Sequence, residues 1–168
     1  MQANRYKIYH FLQEKRGRKQ SIYTIIERGM MCIQKIFKVD RTKKYKNIRF
    51  RCGSNWASIT HDLALHMLSR EEEIKKMFSY SFCCDEFFMQ TIAYNSSFRN
   101  AIFKSEEEHI SGNLRFIDWQ RGDLMLGSPY TFKIDDYDML MEAPELFCRK
   151  ITDSTPEGNA LIEKLEQL

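Results

Sequence analysis

Residues 22–37 place Ile22, Ile25, Ile26, Met30, Ile33, Ile36 and Phe37 three and four positions apart. That spacing predicts an amphipathic helix with a basic back, and Ser21 is a suitable N-cap. Residues 5–12, RYKIYHFL, mix aromatic and charged positions and predict a strand or irregular segment. NIRFRC (47–52) alternates and predicts a strand; after the turn Gly53-Ser54-Asn55, WASI (56–59) predicts a short one. Thr60 can cap a helix over 61–69, and Ser69 with Glu72 spells a capping box for a helix near 70–78. A strand is expected to end at Phe82, followed by a helix whose inner side is Phe87, Phe88, Thr91 and Ile92. LRFIDW (114–119), YTF (130–132) and LFCRKI (146–151) predict strands, with a loop over 121–129. A helix over 135–143 must stop before Pro144. Thr155-Pro156 opens a last helix lined by Leu161, Ile162, Leu165 and Leu168. Strands interspersed with helices predict an α/β chain.

With 168 residues, 43% hydrophobic and 13% aromatic, the chain has material for a core, which excludes global disorder. No apolar run approaches the roughly 18 residues of a membrane span, and MQANRYKIYH has no apolar signal core. Five Cys without CxxC spacing argue against a disulfide framework or zinc site and for a reducing compartment.

Charge divides the chain. Residues 1–51 hold 15 Lys/Arg against 3 Asp/Glu, a balance of +12, while residues 52–168 hold 11 against 20, or −9. A membrane surface, a nucleic acid or a phosphorylated ligand would suit the basic segment; a solvated lysine-rich face fits equally well.

Asp85-Glu86 precedes a predicted helix among aromatic residues. Partial desolvation there would raise a carboxylate toward the range of a general base, although two acids favoured by a helix dipole fit the same pattern. Arg149 and Lys150 are expected to point to opposite faces of a strand, where a cleft-facing Lys would neutralise phosphate; ordinary edge-strand charges fit the same pattern. Trp119 at a strand end could stack on a sugar or belong to the core. Asp136-Tyr137-Asp138 spells D-x-D, but inside a helix residues two apart do not share a face, so no metal site is expected. None of the four His has metal-ligand spacing, vicinal Cys83-Cys84 read as thiols, and no Gly-rich phosphate loop occurs.

Five ordered blocks then carry a resemblance: GSNWASITHD (53–62), FCCDEFFMQTIAYNSSF (82–98), LRFIDWQRG (114–122), SPYTFKIDDYDMLM (128–141) and LFCRKI (146–151). Over about residues 45–152 the chain resembles the C-terminal half of the core-2/I-branching β-1,6-N-acetylglucosaminyltransferases, a family that includes peptide O-xylosyltransferases; its flavour is that of the bacterial branch. The resemblance implies the C-terminal portion of a GT-A-like α/β fold, with a mixed sheet flanked by helices. It implies one incomplete glycosyltransferase domain over 1–168: a basic segment (1–51), a catalytic and acceptor half (52–152) and a C-terminal helix (153–168). On this resemblance, the family half that holds uracil and ribose is expected to be missing.

The same resemblance implies inverting, metal-independent transfer of a sugar, expected to be N-acetylglucosamine, from a UDP-sugar to a glycan or lipid-linked glycan, with no cofactor. It places the catalytic base on Glu86, the diphosphate-binding Lys on Lys150, the acceptor-binding aromatic on Trp119 and the sugar-nucleotide turn on Gly53-Ser54. Cys84 stands where the family has Pro, and Leu126-Gly127-Ser128 offers no cation where a second diphosphate-binding Arg is expected. Arg149 or Arg121 is the substitute. The basic segment would then meet an anionic leaflet and not nucleic acid, giving a cytoplasmic protein peripheral to the inner membrane face. A non-catalytic fragment, or a basic binding module for a membrane surface or nucleic acid, is the alternative.

Overall fold

The computed structural model describes residues 3–15, 21–104, 112–123 and 125–168; Leu124 of the expected 121–129 loop and His109 lie outside them. The helices are α1 (Asn4–Lys7), α2 (Ile22–Ile36), α3 (His61–Ser69), α4 (Glu71–Phe78), α5 (Phe88–Tyr94), α6 (Tyr137–Glu142) and α7 (Pro156–Leu165). The strands are β1 (Arg115–Ile117) and β2 (Phe147–Arg149). The chain divides into two compact units, residues 1–55 with 59–102 and residues 56–58 with 103–168. No helix among the described residues is long and apolar enough to cross a membrane.

In the first unit, α4 and the turn before α5 bury Met77, Phe78 and Phe87, against which Tyr6, Tyr45, Ile48 and Phe50 pack. Leu63 and Met67 of α3 meet Ile92 and Ala93 of α5 in a second cluster. Thr60 caps α3 by accepting the Leu63 N–H at 3.3 Å. The capping box expected at Ser69 does not form: the Ser69 hydroxyl turns back to donate to the His66 carbonyl, and Arg70 grips Glu73 through two bonds of 2.7 and 2.8 Å.

The expected strands at 47–52, 56–59 and before Phe82 are absent. The reason is clearest at 49–51, where helix side chains take the place of a neighbouring strand. Asn95, at the C-terminal end of α5, and Thr91 within it accept from the Arg49 and Arg51 N–H groups at 2.9 and 3.0 Å, and donate back to the Arg49 and Arg51 carbonyls. The alternation in NIRFRC thus reflects an extended chain satisfied from one side at every second residue.

Helix α2 forms after Ser21 as expected, but the stripe that ordinarily faces a core faces out. Ile25, Ile36 and Phe37 are 65%, 75% and 77% exposed, while Glu27 is 1% exposed and Thr24 and Gln34 are buried. Glu27 accepts the Leu12 N–H at 3.0 Å, and Gln34 both accepts from Tyr9 N–H and donates to Tyr9 C=O, at 2.8 and 2.9 Å. The polar positions turn inward because residues 9–12 carry backbone groups that no ladder satisfies.

In the second unit, β1 and β2 pair in parallel, Arg115 with Phe147, Phe116 with Cys148 and Ile117 with Arg149. Among the described residues the sheet is therefore two-stranded and parallel, where a larger mixed sheet was expected. Residues 130–132 are not a strand, yet the Tyr130 N–H donates to the Asp118 carbonyl and the Phe132 N–H to the Lys150 carbonyl, both at 2.8 Å. Phe132 and Leu161 are fully buried, and Phe132 stacks on Phe116 with centroids 5.7 Å apart. Thr155 caps α7 by accepting the Gly158 N–H at 3.2 Å.

Candidate active site

In the first unit the chain after α4 turns through Cys83, whose φ is +50°, into one 3-10 turn over Cys84–Glu86, and α5 begins two residues later. The two acids of this turn have different partners. Asp85 is exposed and accepts from the Asn55 amide at 3.1 Å, which ties it to the 53–55 turn. Glu86 is half-buried and meets the Arg5 guanidinium, Oε2 to Nη1, at 2.7 Å.

Arg5 does more than pair. Its Nε and Nη2 donate to the Phe82 and Cys83 carbonyls at 3.3 and 3.4 Å, and its guanidinium lies 4.8 Å over the Phe87 ring. One planar fork therefore fixes both the loop backbone and the carboxylate that the loop presents. Burial opposes the Arg5 charge, but the Glu86 carboxylate outweighs it and holds the guanidinium above its ordinary pKa. Sequence reasoning missed Arg5. It lies 81 residues from Glu86, in a segment whose mixed aromatic and charged positions do not disclose a tertiary partner.

Gly53 and Ser54 come to the same place. The Gly53 N–H donates to the Glu86 carbonyl at 3.0 Å, and the Gln90 amide donates to the Ser54 carbonyl at 2.6 Å. A Cβ on Gly53 would approach Gln90 Cγ to 2.9 Å, so glycine allows this close passage. Gly53, Ser54 and Glu86 thus form one cluster, joined by Arg5 and Asp85. Burial raises the Cys84 thiol, with a further push from Asp85.

The second unit holds the remaining candidates. Trp119 follows β1 and is 45% exposed. Arg121 donates to Asp118 at 2.6 Å and to Asp136 at 2.8 Å, and lies 4.0 Å over the Tyr130 ring. Its charge is neutralised within the chain by two carboxylates, which fits a brace holding the 118–121 turn to the start of α6 better than a phosphate ligand. Asp118 sits below the usual carboxylate range because the Arg121 N–H and guanidinium both donate to it. Burial would raise Asp136, but the Lys133 N–H and Arg121 more than reverse that. Asp136 is thereby engaged, whereas Asp138 is exposed, so the D-x-D carboxylates do not converge. Among the described residues no three His, Cys, Asp or Glu side chains gather as a metal site.

Arg149 is the last residue of β2, and Lys150 follows it. Arg149 is half-buried with its guanidinium 4.7 Å over the Trp56 ring, and Lys150 is exposed. The Lys150 backbone is held between Tyr130 and Phe132. The position of the ammonium's root is therefore fixed while its head stays in water.

Comparison with known proteins bears on this arrangement. A xylosyltransferase of Caenorhabditis briggsae, sqv-6, is 32% identical over 93 residues, which is 54% of this chain and 11% of that protein; the chain thus spans a small part of that relative's length. No solved structure matches significantly. The Core-2/I-Branching enzyme family matches residues 3–139. That match begins at residue 3, well before the resemblance expected from about residue 45, so it takes in Arg5 and α2; it stops short of β2 and Lys150. Covering most of the chain, it settles the family: this protein belongs to the Core-2/I-branching enzymes.

Proposed function

We propose that the chain is the base- and acceptor-bearing part of a GT-A-type, inverting glycosyltransferase that moves a sugar from a UDP-sugar to a glycan hydroxyl. The observation that carries this reading is the Glu86 carboxylate, held by Arg5 at the turn before α5 and joined through its own carbonyl to Gly53. In this mechanism Glu86 takes the proton of the acceptor hydroxyl as the oxygen attacks C1 of the sugar from the face opposite the diphosphate. The C1–O bond to UDP breaks, and the charge that develops on the leaving diphosphate is stabilised by Lys150. Arg149 is the second cation of this set, and Trp119 offers its exposed ring to the acceptor sugar. Gly53 and Ser54 line the donor side.

N-acetylglucosamine is the donor sugar we favour. The name of the nematode relative supports xylose as the other choice. No metal enters the mechanism, because cationic side chains take the role a divalent ion would fill. A lipid-linked acceptor at the cytoplasmic membrane face fits the basic first third of the chain. The test is UDP release by the intact enzyme from UDP-N-acetylglucosamine and UDP-xylose, with and without excess EDTA. Transfer that survives EDTA supports the reading. Loss of transfer that manganese restores overturns its metal-independent step.

A further inference from the structure

We infer that α2 docks on an anionic membrane surface, lying in the headgroup plane with its isoleucine stripe toward the acyl chains. The stripe is long and open. Ile22, Ile25, Ile26, Ile33, Ile36 and Phe37 are all exposed, along a helix of 15 residues that measures roughly 22 Å at ~1.5 Å per residue. Single exposed apolar residues need no explanation, but six on one helix face mark an interaction surface.

The roll of the helix is set by its other side. Glu27 and Gln34 together make three bonds to the backbone of Tyr9 and Leu12, and Thr24 is buried beside them. Turning the isoleucines inward would break those bonds and strip the Tyr9 and Leu12 backbone groups of their partners among the described residues. The outward stripe is thus built into the unit.

Charge selects the occupant. Arg28 and Lys35 are exposed on the same helix, and Lys38 follows it. Long cationic side chains beside an apolar face can lay their stems along it and reach phosphate headgroups. The surrounding segment 1–51 carries +12. A second copy of the chain would cover the isoleucines but bring two such segments together. A nucleic acid would meet the cations and leave the isoleucines in water. An anionic bilayer satisfies both at once, and a helix of this length lies on the surface without spanning it. The inference does not depend on the sugar-transfer reading.

The experiment is co-sedimentation of the 168-residue chain with vesicles of phosphatidylcholine alone or with one third phosphatidylglycerol. The chain should bind the anionic vesicles at least about tenfold more tightly than the neutral ones, with affinity falling as salt rises. The triple variant Ile25→Ser, Ile33→Ser, Phe37→Ser should lose about tenfold or more, and the double variant Arg28→Glu, Lys35→Glu a similar amount. These side chains are exposed, so circular dichroism should show unchanged helix content. Failure of the wild-type chain to bind anionic vesicles overturns the inference, as does equal binding by the variants. It is also overturned by a stable dimer in light scattering that the isoleucine substitutions dissociate while vesicle binding is absent.

Discussion

Removing Arg5 and Glu86, singly and together, measures the bond that aims the proposed base. The Glu86 contact is charge-assisted and 2.7 Å long. Such a bond contributes about 1.5–3 kcal/mol when shielded. Here the side chains are 21% and 38% exposed, so screening brings it to about 1–2 kcal/mol. The two longer bonds to Phe82 and Cys83 add about 0.5 kcal/mol each, and the stack on Phe87 a further ~0.5 kcal/mol. Arg5→Ala should therefore cost about 2.5–3.5 kcal/mol of unfolding free energy. Glu86→Gln should cost about 1 kcal/mol, since the amide oxygen can still accept from the guanidinium. The double variant should be more stable than the sum of the two costs implies, by about 1 kcal/mol, because both changes remove the same bond. Denaturant midpoints at constant slope give all three values. Additivity within about 0.3 kcal/mol would show that the two side chains do not hold each other, and Arg5 would lose its positioning role.

Two further outcomes follow from the second unit. A Cβ on Gly122 would lie 2.5 Å from the Ser128 carbonyl oxygen and 2.8 Å from the Pro129 Cα, both backbone, so Gly122→Ala should destabilise by about 1–3 kcal/mol in a denaturant titration; a neutral result would mean the 121–129 loop is not packed this way. Asp136 is held below its ordinary value of 3.8, so the stability it contributes is present above that pH and disappears as pH falls through its folded value. The stability gap between wild type and Asp136→Asn should therefore be constant above about pH 5 and shrink below pH ~4; a gap that widens on acidification would contradict the Arg121 brace.

What the sequence could disclose depended on whether the deciding contacts were local. Caps at Thr60 and Thr155, the stop before Pro144 and the β1 and β2 segments were legible because each rests on neighbouring residues. The inward side of α2 was not. Its pattern is a normal amphipathic stripe, and its reversal comes from Glu27 and Gln34 meeting backbone at Leu12 and Tyr9. The 47–52 strand was misread for a related reason: alternation reports an extended chain but cannot say whether a strand or the Thr91 and Asn95 side chains will bond it. In the candidate site, Asp85-Glu86 beside a helix start was visible as a pair, whereas their separate partners, Asn55 and Arg5, depend on tertiary folding. Arg121 looked like an available cation because its two carboxylates lie three and fifteen residues away, and only the first is within local reach.

Steady-state transfer at several donor concentrations separates the proposed base, Glu86, from the proposed leaving-group cation, Lys150. Lys150→Ala should weaken donor binding and slow turnover together, because the diphosphate gains charge in the transition state. Glu86→Gln keeps shape and hydrogen bonding but cannot take a proton. Turnover of the intact enzyme carrying it should fall on the order of 10²–10⁴-fold, with UDP-sugar affinity nearly unchanged. Full turnover by Glu86→Gln would place the base elsewhere and contradict the account.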